Sequence, residues 1–110
     1  MKRVSRLTLG VSNLEESEAF YGRVLGLSIE HRDDDLIVQW PDFVLTLRHN
    51  PPAGRGKFHF GFQVENRAEV DAWAQKLREN GQVVSGPADL DGNYQLFVLD
   101  PDAYEIAIFA

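Results

Sequence analysis

The sequence predicts an α+β fold of two tandem strand-helix-strand-strand-strand modules, and three observations carry that expectation. Laid over itself with a displacement of 53 positions, the 110-residue chain sets Val11 over Val64, Asn13 over Asn66 and Glu16 over Glu69. The match runs on without a gap through Glu18 over Asp71, Ala19 over Ala72, Phe20 over Trp73 and Val24 over Leu77, and internal repetition of this kind marks a duplicated structural unit. Each copy also opens on an alternating apolar run, Leu7-x-Leu9-x-Val11 and Phe58-x-Phe60-x-Phe62-x-Val64, the pattern of a strand with one buried face. Each run leads into Asn-x-x-Glu, at Asn13/Glu16 and Asn66/Glu69, the spacing of a capped helix start.

The remaining elements follow in order. On the opening strands the second face carries Arg6, Thr8 and Gly10 in one copy and His59, Gly61 and Gln63 in the other. Leu14, Phe20, Tyr21 and Val24 form one helical stripe and Val70, Trp73 and Leu77 another, each suited to cover the apolar sheet face. On that stripe Trp73 is expected to pack in the core. Gly26 and Gly81 stop the helices. Short apolar runs then predict strands over 27–30, 36–40 and 43–47, and over 82–84, 94–99 and 104–109. Asp33-Asp34-Asp35, Pro41-Asp42 and Pro101-Asp102 read as turns between them. The segment from Asn50 to Gly56, with two prolines and two glycines, reads as a connector, so one domain over 1–110 divides into a module at 1–50, a linker at 51–56 and a module at 57–110.

Composition excludes several function classes. With 44% hydrophobic and 25% charged residues the chain has the mixture of an ordinary globular domain. A formal net charge of −6 disfavours nucleic acid and anionic membrane as partners, because both are held by clustered Lys and Arg. The absence of cysteine removes disulfides, thiolate metal sites and cysteine nucleophiles. The start Met1-Lys2-Arg3 is followed by an apolar stretch broken at Ser5, Arg6 and Thr8, so no signal peptide is expected, and the expected location is cytoplasmic. None of Ser5, Ser12, Ser17, Ser28 and Ser85 sits in a nucleophile elbow. Gly54-Arg55-Gly56 is too short for a phosphate-binding loop.

Several stretches together resemble the vicinal oxygen chelate superfamily of glyoxalases, extradiol dioxygenases and bleomycin-resistance proteins. They are Leu7-Thr8-Leu9-Gly10-Val11, Asn13-Leu14-Glu15-Glu16-Ser17 with Ala19-Phe20-Tyr21 and Val24-Leu25-Gly26-Leu27, His59-Phe60-Gly61-Phe62-Gln63-Val64, and Phe97-Val98-Leu99-Asp100-Pro101-Asp102. The resemblance covers nearly the whole chain. It implies paired βαβββ modules whose mixed sheet curls around a central cleft, with helices on the outer face, and commonly a homodimer. It also implies that members with metal chemistry draw one ligand from the first and one from the last strand of each module. The positions here are Arg6, Thr46, His59 and Ala107. A guanidinium has no lone pair to give and a methyl group cannot coordinate, so His59 alone keeps a usual ligand.

The sequence therefore points to a small-molecule-binding protein, with no cofactor expected. Its alternative is a divalent-metal-dependent lyase, isomerase, dioxygenase or transferase that would use His59 with other partners. Candidate cleft residues are Arg6, Thr8, Thr46, Arg48, His59, Gln63 and Glu105, mixed with Val44 and Phe109. Arg6 and Glu105 would form an ion pair that either reads an anionic group or seals the cavity. His59 is either a ligand contact or a satisfied internal histidine, and Glu105 would take the place of Ala107 as a metal ligand only after a register slip. His31 and His49 are expected to face solvent near strand ends, and Trp40 stands before Pro41, where it would either flank a cleft mouth or pack.

Overall fold

The computed structural model describes residues 2–51 and 59–110, with the side chain of His59 outside the described part. The expected linker at 51–56 lies outside the described residues apart from Pro51, as does Phe58. The chain divides into two compact units, Met1–Gly54 and Arg55–Ala110, each with the predicted strand-helix-strand-strand-strand order.

In the first unit β1 (Arg6–Val11) leads to α1 (Leu14–Glu18), which continues as a wider π-helical stretch over Ala19–Val24. Then come β2 (Glu30–Arg32), β3 (Asp35–Trp40) and β4 (Phe43–His49). The sheet order is β1-β4-β3-β2, with β1 and β4 parallel and the other pairs antiparallel. In the second unit β5 (His59–Gln63), α2 (Arg67–Glu79), β6 (Val84–Leu90), β7 (Asn93–Leu99) and β8 (Glu105–Phe109) repeat the plan. Its order is β5-β8-β7-β6, again with one parallel pair, β5 with β8.

Both helix starts are built as their sequences require. Asn13 Oδ1 accepts from the Glu16 amide at 3.0 Å, and Asn66 Oδ1 from the Glu69 amide at 2.9 Å, so each cap occupies a free N–H of the first turn. Glu69 reaches back to the Glu65 amide, one residue before the cap. Gly81, at φ +78°, ends α2 in a Schellman arrangement: the Gln82 amide bonds the Leu77 carbonyl and the Gly81 amide that of Arg78.

The cores lie between helix and sheet. Leu9, Val11, Phe20, Tyr21, Leu45 and Leu47 are buried in the first unit, and Val70, Leu77, Leu96, Val98, Ile106 and Ile108 in the second. Along the core-facing parts of β1, β4, β7 and β8 every second residue is buried, which turns the intervening residues to the opposite face, whereas β3 buries Leu36, Ile37 and Val38 in succession.

Three expectations are corrected. The strand expected at 27–30 begins only at Glu30, because Gly26 takes φ +73° and the Leu27 amide is held by the Tyr21 carbonyl at the helix end. The strand expected at 82–84 runs instead from Val84 to Leu90; its register shifts between Ser85 and Ala88, around a cis Gly86–Pro87 bond, so the Gly-Pro pair is a bulge within a strand. Asp35, expected in a turn, opens β3 and is drawn there by Arg48.

Candidate functional site

On the first sheet, the face opposite the core is set by the pairing of β1 with β4. Arg6 pairs with Val44, Thr8 with Thr46 and Gly10 with Arg48, so Arg6, Thr8, Thr46, Arg48 and Val44 share one face. Arg6 and Thr8 are exposed and Thr46 is half-buried. Arg48 is paired within the sheet: its Nε and Nη2 donate to the two carboxylate oxygens of Asp35, at 3.0 and 2.8 Å. That bond, the nearby positive charge and little else hold the Asp35 carboxyl below its ordinary value, and the Arg48 guanidinium is correspondingly raised. One end of this face is closed by main chain. A Cβ at Gly10 would stand 2.2 Å from the Asn50 carbonyl oxygen, so only glycine admits the crossing.

On the second sheet the rows are equally regular. His59 pairs with Glu105 and Glu105 with Leu99; Gly61 pairs with Ala107 and Ala107 with Phe97; Gln63 pairs with Phe109 and Phe109 with Gln95. Gln63, Glu105 and Phe109 therefore share the face away from α2. The Phe109 ring leans over Gly61, where a Cβ would meet ring carbons at 3.0 and 3.2 Å and the Ala107 Cβ at 3.1 Å. A hollow of about 510 Å³ opens here, lined by Phe97, Phe109, Glu105, Gln95, Asn93 and Asp91, among others. Asn93, Gln95 and Phe97 are not among the candidate cleft residues read from the sequence. Their two-residue spacing along a strand beside the Glu105 strand is the signal that identifies them.

Glu105 stands opposite His59 in the unshifted β5–β8 ladder, so no slip is needed to bring the two residues into one row, while Ala107 is opposite Gly61. His31 and His49 are exposed, and His31 Nε2 lies 2.9 Å from Glu18 Oε2. Trp40 is half-buried and packs on Phe43 with ring centres 6.3 Å apart, on the core side of its sheet. Trp73 is half-buried rather than enclosed, with the Lys76 ammonium 4.9 Å from its ring centre.

The residues at the four metal positions do not form a donor set. Arg6 is a cation, Thr46 offers a neutral hydroxyl, and Ala107 has only a methyl group. A catalytic divalent site ordinarily takes three protein ligands. Among the described residues no three His, Asp or Glu side chains come together in a metal-binding group.

The sequence profile of the Glyoxalase/Bleomycin resistance protein/Dioxygenase superfamily matches residues 3–108. A trivalent organoarsenical cleaving enzyme from Bacillus sp. (strain MD1) is 34% identical over 84 residues, 72% of this chain and 52% of the relative, so the chain spans about half the length of that curated relative. Among solved structures, an integron cassette protein from the Halifax Harbour sewage outfall metagenome superposes with a TM-score of 0.85 at 23% identity, over 100% of this chain and 99% of the other. Lactoylglutathione lyase from Agrobacterium tumefaciens gives 0.82 at 21% identity, over 99% and 93%. An antibiotic-binding protein from a Streptomyces species gives 0.79 at 24% identity, over 99% and 95%. These three likenesses concern the fold. No helix among the described residues is long and apolar enough to cross a membrane.

Proposed function

The chain belongs to the glyoxalase/bleomycin resistance protein/dioxygenase superfamily, and from that premise we propose that it is a small-molecule-binding protein of this type that carries no resident metal and acts as a cytoplasmic homodimer. The observation that carries the reading is the hollow on the second sheet. It has the size of a small-ligand site and the usual lining, with Phe97 and Phe109 for contact area and Glu105, Gln95 and Asn93 as a few polar groups to orient a guest. The hollow leaves a place for a ligand, while of the four metal positions Arg6 and Ala107 have no electron pair to give a dication and Thr46 offers only a neutral hydroxyl.

A thermal-shift panel of aromatic acids, cationic drugs and thiol conjugates tests the binding, since a ligand that prefers the folded state raises stability by RT ln(1 + [L]/Kd). A shift with at least one class, abolished by filling the hollow with Ala107→Phe, is expected; no shift with any class overturns the reading. Light scattering checks the dimer, which a monomeric mass would exclude.

The second reading, a metal-dependent enzyme, is favoured by the direct pairing of His59 with Glu105 and by the organoarsenical-cleaving relative. Metal analysis of the purified protein decides between them. Stoichiometric nickel, zinc, manganese or iron that is lost in His59→Ala would establish the second reading at the expense of the first.

A further inference from the structure

We propose that Arg6, Thr8 and Thr46 form the head-group site for a small organic anion, a carboxylate or phosphate carried on an apolar body. The inference rests on the small-molecule-binding reading above and assigns a ligand chemistry to the open face of the first sheet.

The face of the first sheet that carries these residues has a charge surplus that can be read off its rows. Three guanidiniums stand on it: Arg6 on β1, Arg48 on β4 and Arg32 on β2. Two carboxylates stand with them, and each is taken: Asp35 holds Arg48 through two hydrogen bonds, and Glu30 holds Arg32. Arg6 is the third guanidinium, exposed and without a hydrogen bond or ion pair among the described residues of its unit. No acidic residue precedes Glu15, whereas Lys2 and Arg3 lie just before the strand. In a chain of net charge −6 this strand start is locally positive.

The neighbours of Arg6 suit an oxyanion. Thr8 follows on the same strand face, about 6–7 Å along it, and Thr46 is its register partner about 5 Å across the ladder. A guanidinium presents two parallel N–H bonds to two oxygens of one carboxylate or phosphate, and hydroxyl donors can satisfy the lone pairs left over. Val44, half-buried beside Arg6, supplies apolar surface for the rest of the guest. The Asn50 main chain over Gly10 bounds the row at its far end.

Four probes that share one body separate the possibilities: 4-phenylbutyrate, 4-phenylbutyl phosphate, 4-phenylbutanol and 4-phenylbutylammonium, titrated calorimetrically at low salt. At least one of the two anions should bind about tenfold or more tightly than the alcohol and the ammonium, the size of effect expected of a charge-assisted hydrogen bond. The choice between the anions tells a carboxylate site from a phosphate site. Arg6→Gln should remove the anion preference and leave the alcohol unchanged, Arg6→Lys should keep part of it, and Thr8→Val should weaken both anions. Arg23→Gln, an equal change of net charge on the helical stretch, should keep the preference, and melting curves establish that each variant folds. Equal binding of alcohol and anions, tighter binding of the ammonium, or an anion preference that survives Arg6→Gln overturns this inference while the binding reading stands. Failure of all four probes to bind also overturns this inference, while the thermal-shift panel decides separately whether the binding reading stands.

Discussion

At the scale of single residues, the turn between β7 and β8 shows how side chains decide a backbone path. Asp100 is buried, and its Oδ1 accepts from the amides of both Asp102 and Tyr104 at 2.9 Å, while Ala103 is forced to φ +65°. An L-residue in that conformation costs about 1–2 kcal/mol, which glycine escapes at a smaller entropic penalty. Ala103→Gly is therefore expected to stabilise the protein by about 0.5–1 kcal/mol, read from urea unfolding, and a loss of stability would contradict the strain. Asp100→Ala leaves two amides without their acceptor and should cost about 2 kcal/mol. Gly10→Ala sets a Cβ against the Asn50 carbonyl and should cost about 1–3 kcal/mol, as overpacking does. The Asp-Pro-Asp turn was legible because proline and aspartate have fixed local habits. The need for glycine at position 10 was not, because it comes from Asn50, distant in sequence and brought close only by the parallel pairing of β1 with β4.

Elements were legible where one periodicity ruled. β1, β7, β8 and both helix caps follow directly from alternation and from the Asn-x-x-Glu spacing, whereas β6 was hidden because Gly86-Pro87 interrupts its pattern. Asp91-Gly92, with both residues at positive φ, is the hairpin signal that would have extended β6 to Leu90. In sequence the first helix shows one stripe, yet the Leu25 amide bonds the Phe20 carbonyl, five residues back, and that wider turn accompanies the burial of consecutive Phe20 and Tyr21. The hairpin of β6 and β7 is tied to the start of α2 by a polar clip. Arg67 donates to both oxygens of Asp89 at 2.8 and 3.0 Å and lies 4.1 Å from the Tyr94 ring centre, while the Tyr94 hydroxyl donates to Asp71. The bond to Asp71, followed by desolvation, raises the Tyr94 hydroxyl above its usual value of 10.0. Because the folded value is the higher one, this contribution is whole below pH 10 and is lost as pH climbs through the folded value. Denaturation at pH 9 and at pH 11 should show wild type losing more stability than Tyr94→Phe, and parallel losses would show that the clip does not couple to the fold. Asp89 works in the opposite sense: the bond from Arg67 lowers its carboxyl, so its contribution is present above 3.8 and fades as pH falls through the lower folded value.

At the scale of the whole chain, the sequence made the two-module plan legible, and with it the family, because the residues that open each module have the same local tasks in both. The candidate site was only partly legible. Arg6, Thr8, Thr46 and Arg48 could be assigned to one face from alternation, but the capture of Arg48 by Asp35 depends on a cross-strand register that spacing alone does not supply. The row that sets Glu105 rather than Ala107 opposite His59 likewise depends on the β5–β8 ladder. The proposed lack of a resident metal is tested on the whole chain. Calorimetric titration of the protein with nickel or zinc is expected to show no stoichiometric uptake, because Arg6, Thr46 and Ala107 offer a cation, a neutral hydroxyl and a methyl group where the family resemblance implies ligands. Uptake of one ion per chain at micromolar affinity or better, about −8 kcal/mol, that is lost in His59→Ala would mean that the protein finds its donors at other positions, and the metal-dependent reading would then replace the binding one.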